Sequence, residues 1–140
     1  MRVVVDTSVF VSAILGQAGG TSRQILRSCL LRRLFPVMGT ALFLEYEDVV
    51  GRKSIVEQSR LAAAEIGELL DAFASVCAWI TVYYRWRPNL IDEADNHLLE
   101  LAVAAGAEVI VTKNLRHLNS GELRFPQIRV LAPDQLVKEL

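Results

Sequence analysis

Short apolar runs alternate along the chain with longer stretches in which apolar positions recur every three or four residues. Val3, Val4 and Val5, between Arg2 and Asp6, form a β-branched run that fits a strand buried on both faces. Thr21 opens a helical pattern with Ile25, Leu26, Leu30 and Leu31 on one face, and Thr21 or Ser22 is placed to cap it. Leu34 to Met38 predicts a second short strand, closed by Gly39. Thr40 then stands as the cap of a helix carrying Leu42, Leu44, Glu45 and Val49. Leu61 to Val76 is rich in Ala, Leu and Glu, all strong helix formers. Ile80 to Tyr84 is β-branched and aromatic, which predicts a strand. Asp92 to Ala105 is helical, with Leu98, Leu99, Leu101, Ala102 and Ala105 as its apolar stripe and Gly106 as its stop. Val109 to Thr112 and Ile128 to Leu131 predict two more strands, and Pro133 starts a short terminal helix.

Strands that alternate with helices imply a parallel sheet covered on both faces. Ligands of such sheets bind beyond the carboxyl ends of the strands. That rule singles out Asp6 and Thr112, each at the end of an apolar strand.

No linker or repeat divides the 140 residues, so one domain spanning 1–140 is expected. A hydrophobic content of 52% with 22% charged residues excludes a disordered chain. The formal net charge of −1 matters more, because a protein that holds nucleic acid by charge alone is usually basic. Any nucleic-acid partner must meet local basic clusters, or metal ions seated on acids. Cys29 and Cys77 lie in apolar contexts and read as buried, reduced thiols, in keeping with a reducing compartment. Asp6 interrupts the apolar N-terminal stretch, and no run approaches the ~20 residues of a membrane-spanning helix. A cytoplasmic protein without membrane contact is the expectation.

The acids carry the chemistry, and each has a structural alternative. A carboxylate at the end of a central strand, as at Asp6, is costly unless it is hydrogen-bonded, paired or bound to metal; it can also cap the following helix. Glu45, taken alone, reads as a helix-surface residue beside the solvent-facing Glu47 and Asp48. Asp92 and Asp95 share one face of a first helical turn, where acids also complement the helix dipole. His97 and His117 have no cysteine cluster near them, so zinc is disfavoured and carboxylate oxygens select Mg²⁺ or Mn²⁺. The hydroxyls of Ser8 and Thr112 can serve a metal water or phosphate, or can equally satisfy local backbone groups. Basic residues are scattered: Arg23, Arg27, Arg32 and Arg33, then Arg52 and Lys53, then Lys113 and Arg116. Tyr83 to Arg87 interleaves aromatics with arginines, which suits base stacking or a protein contact.

Four stretches in register resemble the PIN-domain family, notably the prokaryotic toxins of toxin–antitoxin pairs. They are Val3 to Phe10, Leu44 to Lys53, Asp92 to Ala102 and Ala107 to Leu118, and their order covers nearly the whole chain. The resemblance implies a three-layer α/β/α sandwich around a parallel sheet, and a Mg²⁺- or Mn²⁺-dependent endoribonuclease. It assigns the three catalytic and metal-holding acids to Asp6, Glu45 and Asp95, with Asp92 as an auxiliary acid. The fourth acid of many relatives falls at Asn114, an amide that adds no charge for a second cation. Thr7, Ser8, Thr112, Lys113 and Arg116 are the expected supporting contacts. An RNA substrate, a cognate antitoxin and a homodimer or larger assembly are the expected partners. Self-association is also suggested by the apolar Leu61, Leu69, Leu70 and Phe73 of the 61–76 helix.

Two other functions compete. Asn114 favours a catalytically weak PIN module that only binds RNA or a partner. A receiver-type phosphoacceptor domain would also place an acid at a strand end, but it needs paired acids near Asp6 that are not visible, and no glycine-rich phosphate loop occurs.

Overall fold

The computed structural model describes residues 1–16, 20–82, 96–115 and 127–140. Five strands form one parallel sheet: β1 (Arg2–Val5), β2 (Phe35–Met38), β3 (Ala78–Trp79), β4 (Val109–Val111) and β5 (Arg129–Leu131), in the order β3-β2-β1-β4-β5. The helices are α1 (Thr7–Leu15), α2 (Thr21–Leu30), α3 (Thr40–Val50), α4 (Lys53–Gln58), α5 (Ala63–Val76), α6 (Asn96–Ala105) and α7 (Pro133–Val137). The expected α/β/α layering around a parallel sheet is what the chain adopts.

The three valines of β1 and all of β4 are buried, as strands in the middle of a covered sheet must be. Val3, Val4 and Val5 pair with Val109, Ile110 and Val111. The chain adds strands on one side of β1 first and then crosses to the other side. The strand order therefore reverses between β1 and β4, and in an open parallel sheet the crevice at the carboxyl ends of such a pair is where ligands bind.

Helix α6 keeps its expected stripe: Leu98, Leu99, Leu101, Ala102 and Ala105 are all buried. Gly106 ends it at φ +64°, and the Ala107 N–H donates back to the Ala102 carbonyl at 2.9 Å. The Arg2 guanidinium, from the start of β1, adds a 2.7 Å bond to the Ala105 carbonyl. Gly39 lets this packed face of α6 come close, since a Cβ there would stand 3.3 Å from Leu101 Cδ1.

Several expectations are corrected. The third strand begins earlier than Ile80, at Ala78–Trp79, because Trp79 packs its ring on Phe43 and donates from Nε1 to the Ala74 carbonyl. Ile80 still donates its N–H to Met38, while residues 83–84 of the expected strand lie outside the described residues. Gly20 and Gly39, not Thr21 and Thr40, occupy the N-cap positions of α2 and α3, and neither helix has a side-chain cap. Leu31 is the C-cap of α2 and is exposed rather than on its packed face. Helix α4 buries no residue, so no hydrophobic periodicity marked it. On α5, Leu70 and Phe73 are core residues, which removes half of the apolar surface invoked for self-association.

The largest correction concerns α3. Its buried positions are Leu42 and Tyr46, one turn apart, whereas Leu44 is 59% exposed. Tyr46 is fully buried; its ring meets Phe10 edge-on and its hydroxyl donates to the Val5 carbonyl at 2.7 Å. That bond ties the middle of α3 to the last residue of β1. No described helix is long and apolar enough to cross a membrane.

Tyr46→Phe keeps the ring and deletes this one buried donor. It should cost about 1 kcal/mol, seen as a fall in Tm of roughly 3 °C in thermal unfolding. An unchanged Tm would show that the bond does not hold α3 to β1.

Candidate active site

Asp6 follows β1 directly and is 3% exposed. It occupies the N-cap position of α1, yet its carboxylate makes no cap bond. Instead, Oδ2 accepts two hydroxyls: Ser8 Oγ at 2.6 Å and Thr112 Oγ1 at 2.8 Å. Thr112 reaches it because the β1–β4 register carries on past Val5 and Val111, with the Asp6 N–H donating to the Val111 carbonyl. The two hydroxyl oxygens lie 3.5 Å apart, but each proton is already committed to Asp6. Each oxygen also accepts a backbone N–H, Ser8 from Lys113 and Thr112 from Asn114. Of the two roles weighed for these hydroxyls, the backbone one is filled, and both also donate to the Asp6 carboxylate. Among the described residues, Oδ1 of Asp6 takes no hydrogen bond.

Glu45 lies on the α3 turn anchored by Tyr46. Thr7 Oγ1, from the first turn of α1, donates to its Oε1 at 2.7 Å. His97 Nε2, from the first turn of α6, lies 2.6 Å from its Oε2. The carboxylate is 30% exposed and the imidazole 19%. Burial pushes the Glu45 carboxyl up. The hydrogen bonds from His97 and Thr7 oppose it, joined by the charges of His97 and Arg52, and hold it below the ordinary value of 4.5. The Tyr46 phenol moves far above its usual range, through burial first and then through Asp6, the two thiols and Glu45. It stays a donor to Val5.

Asp6, Thr7, Ser8, Glu45, Thr112, Lys113 and Asn114 thus gather around the ends of β1 and β4. Lys113 is exposed, and its ammonium donates to Ser12 Oγ at 3.2 Å. Asn114 is exposed and joins through its backbone N–H rather than its amide. Asp92, Asp95, Arg116 and the Tyr83 to Arg87 segment lie outside the described residues. Among the described residues, no three His, Cys, Asp or Glu side chains are grouped to hold a metal ion. Two participants escaped the sequence reading, Tyr46 and His97. Tyr46 could have been found by its four-residue spacing from Leu42, and His97 by its place beside the wholly buried Leu98.

A family model described as PIN domain matches residues 2–116. The chain belongs to the PIN-domain family. The match spans the β1, α3 and β4 segments that build the cleft, and it leaves no room for the receiver-type alternative. The PIN fold also recurs in a solved structure, that of VapBC2 from Rickettsia felis bound to a DNA fragment from their promoter. That structure is similar with a TM-score of 0.59 and 16% identity, over 94% of this chain and 98% of the other. No curated protein matches the chain. The thiols stand apart from this PIN chemistry. Both are free and buried, and burial pushes them up to about 12, with the neighbouring Cys77 adding to the effect on Cys29.

A carboxyl held below its unfolded value stabilises the fold above that value, and this contribution is lost as pH falls through the folded value. In metal-free protein, the stability lost on Glu45→Gln should therefore be constant well above pH 4.5 and shrink below it. Denaturant titration across that range checks this, and a gap that persists in acid would contradict it.

Proposed function

We propose that this PIN domain is a Mg²⁺- or Mn²⁺-dependent endoribonuclease, the toxin of a toxin–antitoxin pair. The observation that carries the reading is the junction at the β1 and β4 ends, where Thr7 links the Glu45 carboxylate to the turn that holds Asp6. The donor set fits a hard divalent cation. Asp6 offers an oxygen with no described donor, and Glu45 keeps lone pairs beyond its two hydrogen bonds. Asp6, Glu45 and Asp95 would hold the ion, with Asp92 and Asn114 as auxiliaries. Such an ion, when bound, neutralises phosphodiester charge and acidifies a water.

The protein's own residues supply the rest. Ser8 and Thr112 fix the plane of the Asp6 carboxylate, so that Oδ1 keeps its aim without reorganisation. Lys113, next to Thr112, offers an ammonium to an RNA phosphate, and Arg116 would extend that contact. Arg52 and Lys53 contribute less, because each faces an acid one turn away, Asp48 at 2.8 Å and Glu57 at 3.7 Å. RNA affinity then rests on the cation in the cleft more than on surface charge, in keeping with the net charge of −1.

An antitoxin has a surface to occupy. A groove of about 420 Å³ is lined by Leu26, Leu30, Leu61 and Leu69 together with Arg23 and Arg27. This composition suits an amphipathic segment bearing acids. A second reading, a PIN module that binds RNA without cutting it well, is favoured by Asn114 alone.

Manganese titration with a fluorogenic single-stranded RNA tests the function. Asp6→Asn and Asp95→Asn should each reduce cleavage to background, and Asn114→Asp should tighten Mn²⁺ binding in calorimetry. Wild-type activity in Asp95→Asn would end the nuclease reading. Metal-bound but inactive wild type would favour the binding module.

A further inference from the structure

His97 belongs to none of the acids or supporting residues of the nuclease reading, yet it makes one of the shortest polar contacts in the cleft. Its Nε2 stands 2.6 Å from Glu45 Oε2, while Thr7 Oγ1 holds Oε1 at 2.7 Å. The three side chains come from α6, α1 and α3, so neither donor follows from the local geometry of the Glu45 helix. A glutamate on a helix surface turns freely about three torsions. One with a donor from a different helix on each oxygen cannot swing without breaking a bond.

The other ring nitrogen narrows the role. Nδ1 is buried and, among the described residues, has no hydrogen-bond partner. Glu45 is therefore the only hydrogen-bonding partner of the imidazole among the described residues. An ionised carboxylate only accepts, so Nε2 must carry the proton. A nitrogen that donates to Glu45 cannot also ligate a cation, and Nδ1 points into protein. The ring is thus neither a ligand nor free to meet RNA.

We infer that His97 is a positioning residue that, with Thr7, sets the plane of the Glu45 carboxylate towards the cation-binding cleft. The inference rests on the nuclease reading for its consequence, but the bond itself can be tested without it. Residues that orient metal ligands typically change metal affinity or activity by about 10–100-fold when removed.

Three measurements decide the matter. In the ¹⁵N spectrum of the metal-free wild type, the neutral His97 ring should be protonated at Nε2, and this preference should weaken in Glu45→Gln. In calorimetry with Mn²⁺ alone, His97→Leu should lose about tenfold or more in affinity. His97→Gln, whose amide nitrogen can still donate to Oε2, should recover most of that loss even where both variants lose equal thermal stability. A purely structural histidine predicts the reverse, with Mn²⁺ affinity unchanged or both variants impaired alike. A ring protonated at Nδ1 with Nε2 bare, or wild-type Mn²⁺ affinity in His97→Leu, overturns the inference and leaves the nuclease reading standing. Wild type that binds no Mn²⁺ while the Nε2 signature persists sinks the nuclease reading and the cation-directed role, and leaves only the bond.

Discussion

A carboxylate buried at the end of a central strand has to be given donors, and the way Asp6 receives them organises the rest of the cleft. Its Oδ2 takes the Ser8 and Thr112 hydroxyls, from the helix that follows β1 and from the end of the neighbouring β4. The second donor exists only if β1 and β4 are in register, because Thr112 is 106 residues away in sequence. An unsatisfied buried carboxylate costs far more than a hydrogen bond returns, so this pairing also penalises any slip of β4 against β1. The polar site and the register of the sheet centre support one another.

Glu45 is held by a different logic. Nothing in the strand order requires α3 to lean on the end of β1; the Tyr46 hydroxyl and ring do that, through Val5 and Phe10. With Tyr46 inside, Glu45 is carried to the edge of the cleft, where α1 offers Thr7 and α6 offers His97. Asp6 is thus fixed by hydroxyls near the strand ends, and Glu45 by donors from two helices on different parts of the sheet. Each acid has donors from outside its own element, so neither is free to turn away.

Charge is used sparingly. The chain is nearly neutral overall, and some of its basic side chains are engaged: Arg52 on Asp48, Lys53 near Glu57, Arg129 on Glu139, and Arg2 on the Ala105 carbonyl. Exposed pairs of this kind add little stability. Such pairs neutralise charge locally, in keeping with the net charge of −1.

The residue pattern by itself determined the sheet and much of its helical cover. Runs such as Val3 to Val5 and Val109 to Val111 have no polar alternation, so they suit only strands covered on both faces, and the Leu98 to Ala105 stripe with Gly106 marks a helix and its stop. The same pattern put Asp6 and Thr112 at strand ends, where a parallel sheet presents its ligands. It failed where periodicity was ambiguous or silent: on α3, Leu44 and Tyr46 compete to define the inner face, and α4 buries nothing. Only the tertiary structure decided that Tyr46 turns inward, that Thr112 rather than a helix cap serves Asp6, and that His97 meets Glu45. The physical reason is one of range. Burial and helical period are written in neighbouring residues, whereas a hydrogen bond across 52 or 106 positions depends on register and on how helices cross the sheet.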